Sequence, residues 1–72
     1  MADETPGWHP MSREEFGELE RGQLVQDRRG RVWTITAEPF ERNLELHVVV
    51  RSGDLVREIP ERYADEYMPV PA

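Results

Sequence analysis

LELHVVVRSGDLVREI, residues 44–59, alternates apolar and polar side chains and then turns back on itself. Leu44, Leu46, Val48 and Val50 fall on one face; Glu45, His47, Val49 and Arg51 fall on the other. A period of two over eight residues is the pattern of a half-buried β-strand. Ser52-Gly53-Asp54 is a hairpin turn signal. Residues 54–59 then return as a second strand, which ends at Pro60 because proline has no N–H to give to a ladder. Two strands alone are marginal in water, so the rest of the chain must extend this hairpin into a sheet.

Working backwards, residues 38–43 contain Pro39 and Phe40 and read as a loop. Residues 31–37 are rich in β-formers, with Val32, Trp33, Thr34, Ile35 and Thr36 in succession. Alternation places Trp33 and Ile35 together and Val32 on the opposite side unless a bulge intervenes. Asp27-Arg28-Arg29-Gly30 is a tight-turn signal, with glycine where a positive φ is needed. Residues 23–28, with Leu24 and Val25, supply a further short strand. Earlier still, Ser12 and Glu15 have capping-box spacing, and Met11 and Phe16 are spaced as a hydrophobic staple. A short helix is expected over 12–20, closed by Gly22. Working forwards, residues 61–67 read as one helical turn with Tyr63 and Tyr67 four apart, and Met68-Pro69-Val70 as a closing edge strand. Residues 1–10 (Pro6, Gly7 and Pro10 among them) read as a flexible leader with an incidental Trp8. The alternative is a leader that docks through that indole. Residues 11–72 are expected to form a single small domain.

The expected fold is mainly β: a small barrel of four to five antiparallel strands, with a short N-terminal helix and a helical turn before the last strand. That layout over 22–70 resembles the SH3-like barrels, the Tudor and KOW modules among them. Gly22, Val25, a polar turn ending in Gly30, then Val32 and Ile35 carry the likeness. At the other end, Gly53-Asp54-Leu55, Pro60, Ala64 and Tyr67 are similar to the Tudor-like RNA-polymerase-interaction domain of the CarD family. This resemblance implies a protein partner, RNA polymerase, gripped at a lobe of its β subunit. The Tyr-Pro and His-Gly elements that open that family's barrel are replaced here by residues 26–30. Its second, DNA-binding helical domain has no counterpart in these 72 residues.

Composition excludes several function classes. There is no cysteine, so disulfides and thiolate metal sites are impossible. His9 and His47 lie far apart, and no spacing gathers further metal ligands around either. Ser12 is explained as a helix cap and Ser52 as a turn residue. No nucleophile elbow, phosphate-cradling glycine loop or apolar-flanked carboxylate pair is present. The chain therefore reads as no enzyme, with no catalytic residues, no metal and no cofactor. The longest aliphatic run is Val48-Val49-Val50 and the N-terminus is acidic, which points away from a membrane and towards the cytoplasm.

The net charge is −6, and its distribution is uneven. Residues 1–22 and 38–72 are acidic, whereas 23–37 hold Arg28, Arg29 and Arg31 against Asp27 alone. A nucleic-acid binder needs a broad positive face, so a KOW-like nucleic-acid role ranks below a protein partner. Arg28, Arg29 and Arg31, with Trp33 two residues on, are the candidate partner-binding residues. A solvated polar turn accounts for them equally well. As an interface, they would grip acidic groups through bidentate guanidinium bonds. A third reading is a structural homodimer, formed by adding residues 44–50 strand to strand across a two-fold axis.

Overall fold

The structure, a computed structural model, describes residues 8–70. In chain order it contains helix α1 (Arg13–Gly17), strands β1 (Leu24–Asp27), β2 (Val32–Arg42), β3 (Glu45–Ser52) and β4 (Leu55–Pro60), a 3-10 segment (Glu61–Glu66), and strand β5 (Tyr67–Val70). All neighbouring strands are antiparallel, in the order β4-β3-β2-β1-β5. The mainly-β fold with a short front helix and a helical turn before the last strand is the one expected.

The deciding hairpin forms through pairing of Ser52 with Leu55, which leaves Gly53 and Asp54 as a two-residue loop. Gly53 has φ 61° and Asp54 has no positive φ, the signature of a type II′ turn. β3 is paired on both sides, with β2 and with β4. A dimer made by strand addition through residues 44–50 therefore has no free edge to use. The sheet's edges are β4 and β5, and Pro69 lies on the second.

The largest departure from expectation is β2. Residues 38–42 are strand rather than loop, so β2 runs for 11 residues. Its ladder to β3 shifts register between Ile35 and Ala37 and again between Ala37 and Phe40. Such irregularities let the strand bend and give Pro39 a place where no ladder donor is required. The turn moves to Asn43 and Leu44, with φ 55° and 65°, the pattern of a type I′ hairpin. Leu44 is thereby excluded from the inward row and is 92% exposed. Leu46, Val48 and Val50 keep that row, the last two fully buried.

Leucine in a left-handed turn position is strained, because its Cβ crowds the following carbonyl. Leu44→Gly creates an Asn-Gly type I′ turn and is expected to stabilise the protein by roughly 0.5–1 kcal/mol, net of the added freedom of the unfolded chain. The midpoint of a thermal melt followed by circular dichroism should rise by roughly 2–8 °C. A variant that melts no higher than the parent would show that Leu44 is unstrained.

The core lies on one face of the sheet. Val25, Trp33, Ile35, Val48, Val50 and Ile59 come from the strands. Met11, Phe16 and Leu19 close it from the front, with Ala64 and Tyr67 from the end of the chain. Val32, on the other face of β2, is 44% exposed, as alternation requires. The capping box is complete: Glu15 N–H donates to Ser12 Oγ and Ser12 N–H to Glu15 Oε1. The helix itself is shorter than expected and gives way at Glu18, where Glu18 N–H donates to the Glu15 carbonyl at 3.0 Å and Leu19 N–H to the Phe16 carbonyl at 3.3 Å. Gly17 weakens it from within. Gly22 instead makes the entry to β1 with φ 90°, its N–H donating to the Ile35 carbonyl at 2.8 Å.

The leader expected over 1–10 lies outside the described residues as far as residue 7. Trp8 is half-buried and sits beneath the Arg28 guanidinium, so the docking alternative describes it better than an incidental side chain. Met11 N–H donates to the Tyr67 carbonyl at 2.9 Å, which ties this segment alongside β5.

Candidate functional site

The β1–β2 turn is organised by Asp27. Its Oδ1 accepts from the backbone N–H of Arg29 at 3.0 Å and of Arg31 at 2.9 Å. Its Oδ2 accepts from Trp33 Nε1 at 3.1 Å. Aspartate suits the position because its short side chain folds back onto the amides two and four residues on. Gly30 N–H donates to the Asp27 carbonyl at 3.0 Å, and the glycine's φ of 90° turns the chain so that Asp27 N–H reaches the Arg31 carbonyl at 2.9 Å. Partial burial works against the charged carboxylate. The bonds from Trp33, Arg31 and Arg29, and then the field of Arg57, outweigh it and hold the Asp27 pKa below its ordinary value.

Trp33 is placed differently from expectation. Only 1% of it is exposed, and it is the largest fully buried side chain. It lies under the turn as part of the core and offers no face to a partner. Its contribution to the site is support: Arg57 lies 4.4 Å from the indole centroid and Arg31 lies 5.9 Å from it. Guanidinium groups favour such aromatic faces.

The three arginines of the turn are brought together in space, and a fourth joins them. An open depression of about 820 Å³ is lined by Asp27, Arg28, Arg29, Arg31, Arg57 and Glu66, among others. Arg28 is committed to Glu66 at 3.2 Å and lies 5.3 Å from the centroid of Trp8. Arg57 donates from Nη1 to the Tyr67 hydroxyl at 2.9 Å. Arg29 and Arg31 form no ion pair among the described residues. Both acids of the depression are therefore occupied, Asp27 by three N–H groups and Glu66 by Arg28. Four arginines line one concave surface of a chain that is acidic elsewhere.

Arg57 escaped the sequence reading. It sits in β4, opposite Val50 in the register, on the inward side of the sheet near its end. Alternation through 54–59 puts Leu55, Arg57 and Ile59 on one face, and a charged residue in that row is the one available signal. Arg57→Met keeps the stem but removes the cation–π contact and the bond to Tyr67. The expected cost is about 1–2 kcal/mol. Urea denaturation checks it, and an unchanged midpoint would mean that Arg57 is held by nothing.

On the opposite face of the sheet, His47 is more covered than a surface histidine, with a side chain only 12% exposed. It stacks on Phe40 with centroids 5.9 Å apart. Its Nδ1 lies 3.0 Å from Glu58 Oε2, outside good hydrogen-bond geometry, and Arg42 shares the same carboxylate at 3.1 Å. The Phe40 stack and the Glu58 side chain are what cover His47, and its Nδ1 has no hydrogen-bond partner among the described residues. Among the described residues no three His, Asp or Glu side chains converge as a metal-binding group. No helix among them is long and apolar enough to cross a membrane.

A scan against family models, a search of curated proteins and a search of solved structures each give no match to this chain.

Proposed function

We propose that this chain is a non-enzymatic, SH3-like binding module of the cytoplasm that captures an acidic surface of another protein in its arginine groove. The observation that carries this reading is the convergence of Arg28, Arg29, Arg31 and Arg57 on one depression whose two acids are already engaged. The strand order and the 3-10 segment before β5 support the SH3-like description. Arg is among the residue types most often found as interface hot spots.

Two rival partners fit less well. A nucleic-acid strand would have to run beyond the groove over an acidic surface, past Glu61 and Asp65, and each of these repels phosphates. A second copy could pair edge to edge through β4. A pair centred on Arg57 would set Arg57 against Arg57, and one centred on Glu58 would set Glu58 against Glu58. Like charges directly opposite destabilise a strand pair. A heterologous acidic protein is matched to the arginines themselves, and the CarD-like resemblance nominates RNA polymerase as the first partner to try.

The test is capture of purified RNA polymerase, and of proteins from a nuclease-treated host lysate, on the immobilised chain and on an Arg29→Glu/Arg31→Glu variant. These two side chains carry no internal ion pair, so the variant should fold. Wild type is expected to retain a partner in a salt-sensitive manner, and the variant to lose at least tenfold in retention. Equal retention by both proteins, or none by either, would remove the groove as the site.

A further inference from the structure

We infer that the groove takes a phosphate monoester dianion, carried on a phosphorylated side chain of the partner protein. The inference rests on the proposed protein-binding reading and specifies its ligand. Its starting point is the charge left over inside the groove. Four arginines face two acids there, a residue of +2. A phosphorylated serine or threonine carries a charge of about −1.5 to −2 near neutral pH. A single carboxylate would neutralise about half of the surplus.

The placement of the arginines points the same way. Arg31 and Arg57 are both held on one buried indole, at 5.9 and 4.4 Å from its centroid. Two like charges gathered on one ring repel, and Asp27 accepts three N–H groups and forms no ion pair with either guanidinium. An anion lodged between them relieves that repulsion. Arg57 is also pre-set for the task, since Tyr67 holds one end of its guanidinium and Trp33 supports its face. A fixed fork loses little freedom on binding and can address phosphate oxygens in parallel. Arg29 adds a further charge from the turn. The depression, about 820 Å³, has room for a phosphoryl group together with the residues that flank it. The acids outside the groove favour a compact dianion over a continuous polyanion.

The experiment is a nitrogen–proton correlation NMR titration of the full chain, reading the Trp33 indole N–H and the arginine Nε–H resonances. Four probes are compared: a degenerate phosphoserine peptide pool, the same pool with serine, the same pool with glutamate, and inorganic phosphate. The phosphoserine pool is expected to shift these resonances saturably and to bind about tenfold or more tighter than the glutamate pool, the value of one added charge-assisted bond. Arg29→Glu/Arg31→Glu should abolish the shifts while keeping a dispersed, folded spectrum. Arg31→Lys, which keeps the charge and loses the fork, should weaken binding by roughly tenfold. Equal binding of the glutamate and phosphoserine pools overturns the dianion. Inorganic phosphate binding as tightly as the peptides overturns a protein-borne source. No shift with the phosphoserine pool at millimolar concentration overturns the inference altogether. A partner captured equally well before and after phosphatase treatment also overturns it, yet leaves the protein-binding reading standing; loss of all capture removes that reading itself.

Discussion

Trp33→Ala is expected to leave the chain without a cooperative fold at 25 °C. Among the described residues the indole is the largest fully buried side chain, in a core of eleven buried residues. Replacing a buried Trp by Ala costs about 3–5 kcal/mol through lost burial and the cavity left behind. The same change deprives Asp27 of the Nε1 donor at 3.1 Å and Arg57 of the ring it lies on at 4.4 Å. A 72-residue domain at about 0.05–0.15 kcal/mol per residue has only some 4–11 kcal/mol in total. The loss, with the two contacts that go with it, is therefore comparable with the lower part of that range. No disulfide can offset it, since the chain has no cysteine. Near-ultraviolet circular dichroism and urea denaturation read the outcome. Trp33→Phe keeps most of the volume, loses the N–H, and should fold with a stability about 1.5–3 kcal/mol lower. A Trp33→Ala protein that unfolds cooperatively within about 1 kcal/mol of wild type would show that the indole is not the centre of the core.

The second large effect belongs to Asp27. Asp27→Ala removes the acceptor of three N–H groups. Two of them, on the exposed turn, can turn to water; the third belongs to buried Trp33 and is left without a partner. An unsatisfied buried donor, together with the loss of a charge-assisted bond, costs about 2–3 kcal/mol. Asp27→Asn keeps an acceptor oxygen but no charge, and should lose about half as much.

The carboxylate also makes stability depend on pH. Its folded pKa is depressed below the unfolded value, so the charged form is favoured in the native state. The stabilisation is fully present above the unfolded aspartate value of about 3.9 and is lost as the pH falls through the lower, folded one. Urea midpoints taken between pH 6 and pH 2.5 should fall more steeply for wild type than for Asp27→Asn. Parallel curves would mean that the three N–H groups do not distinguish the two charge states.

Much of this molecule is legible along the chain because its information is local. The Ser12–Glu15 box, the Met11 and Phe16 staple, and the Gly30 and Gly53 turns each depend on residues a few positions apart, and each formed as its spacing required. The alternation that paired Trp33 with Ile35 held because one face of the strand had to be buried. What misled was equally local. Pro39 is a loop signal in isolation, and Leu44 continues an apolar row. Both were overruled by the ladder to β3, whose register shifts absorb the proline and whose turn takes the leucine into a left-handed conformation.

The candidate site divides along the same line. Arg28, Arg29 and Arg31 are visible as a basic interruption in an acidic chain, since charge can be counted without knowing the fold. That Trp33 lies beneath them, that Arg57 arrives from 26 residues after Arg31, and that Glu66 and Trp8 hold Arg28 could not be counted in this way. The sequence by itself determined a mainly β chain without thiol chemistry, with its turns and one positive segment, because dihedral preference, side-chain period and charge belong to the residues. Only the tertiary structure decided which arginines meet, which aromatic ring supports them and which acids are already spent. Those facts come from strands distant in the chain closing over one core, where burial and register outweigh the preferences of any single segment.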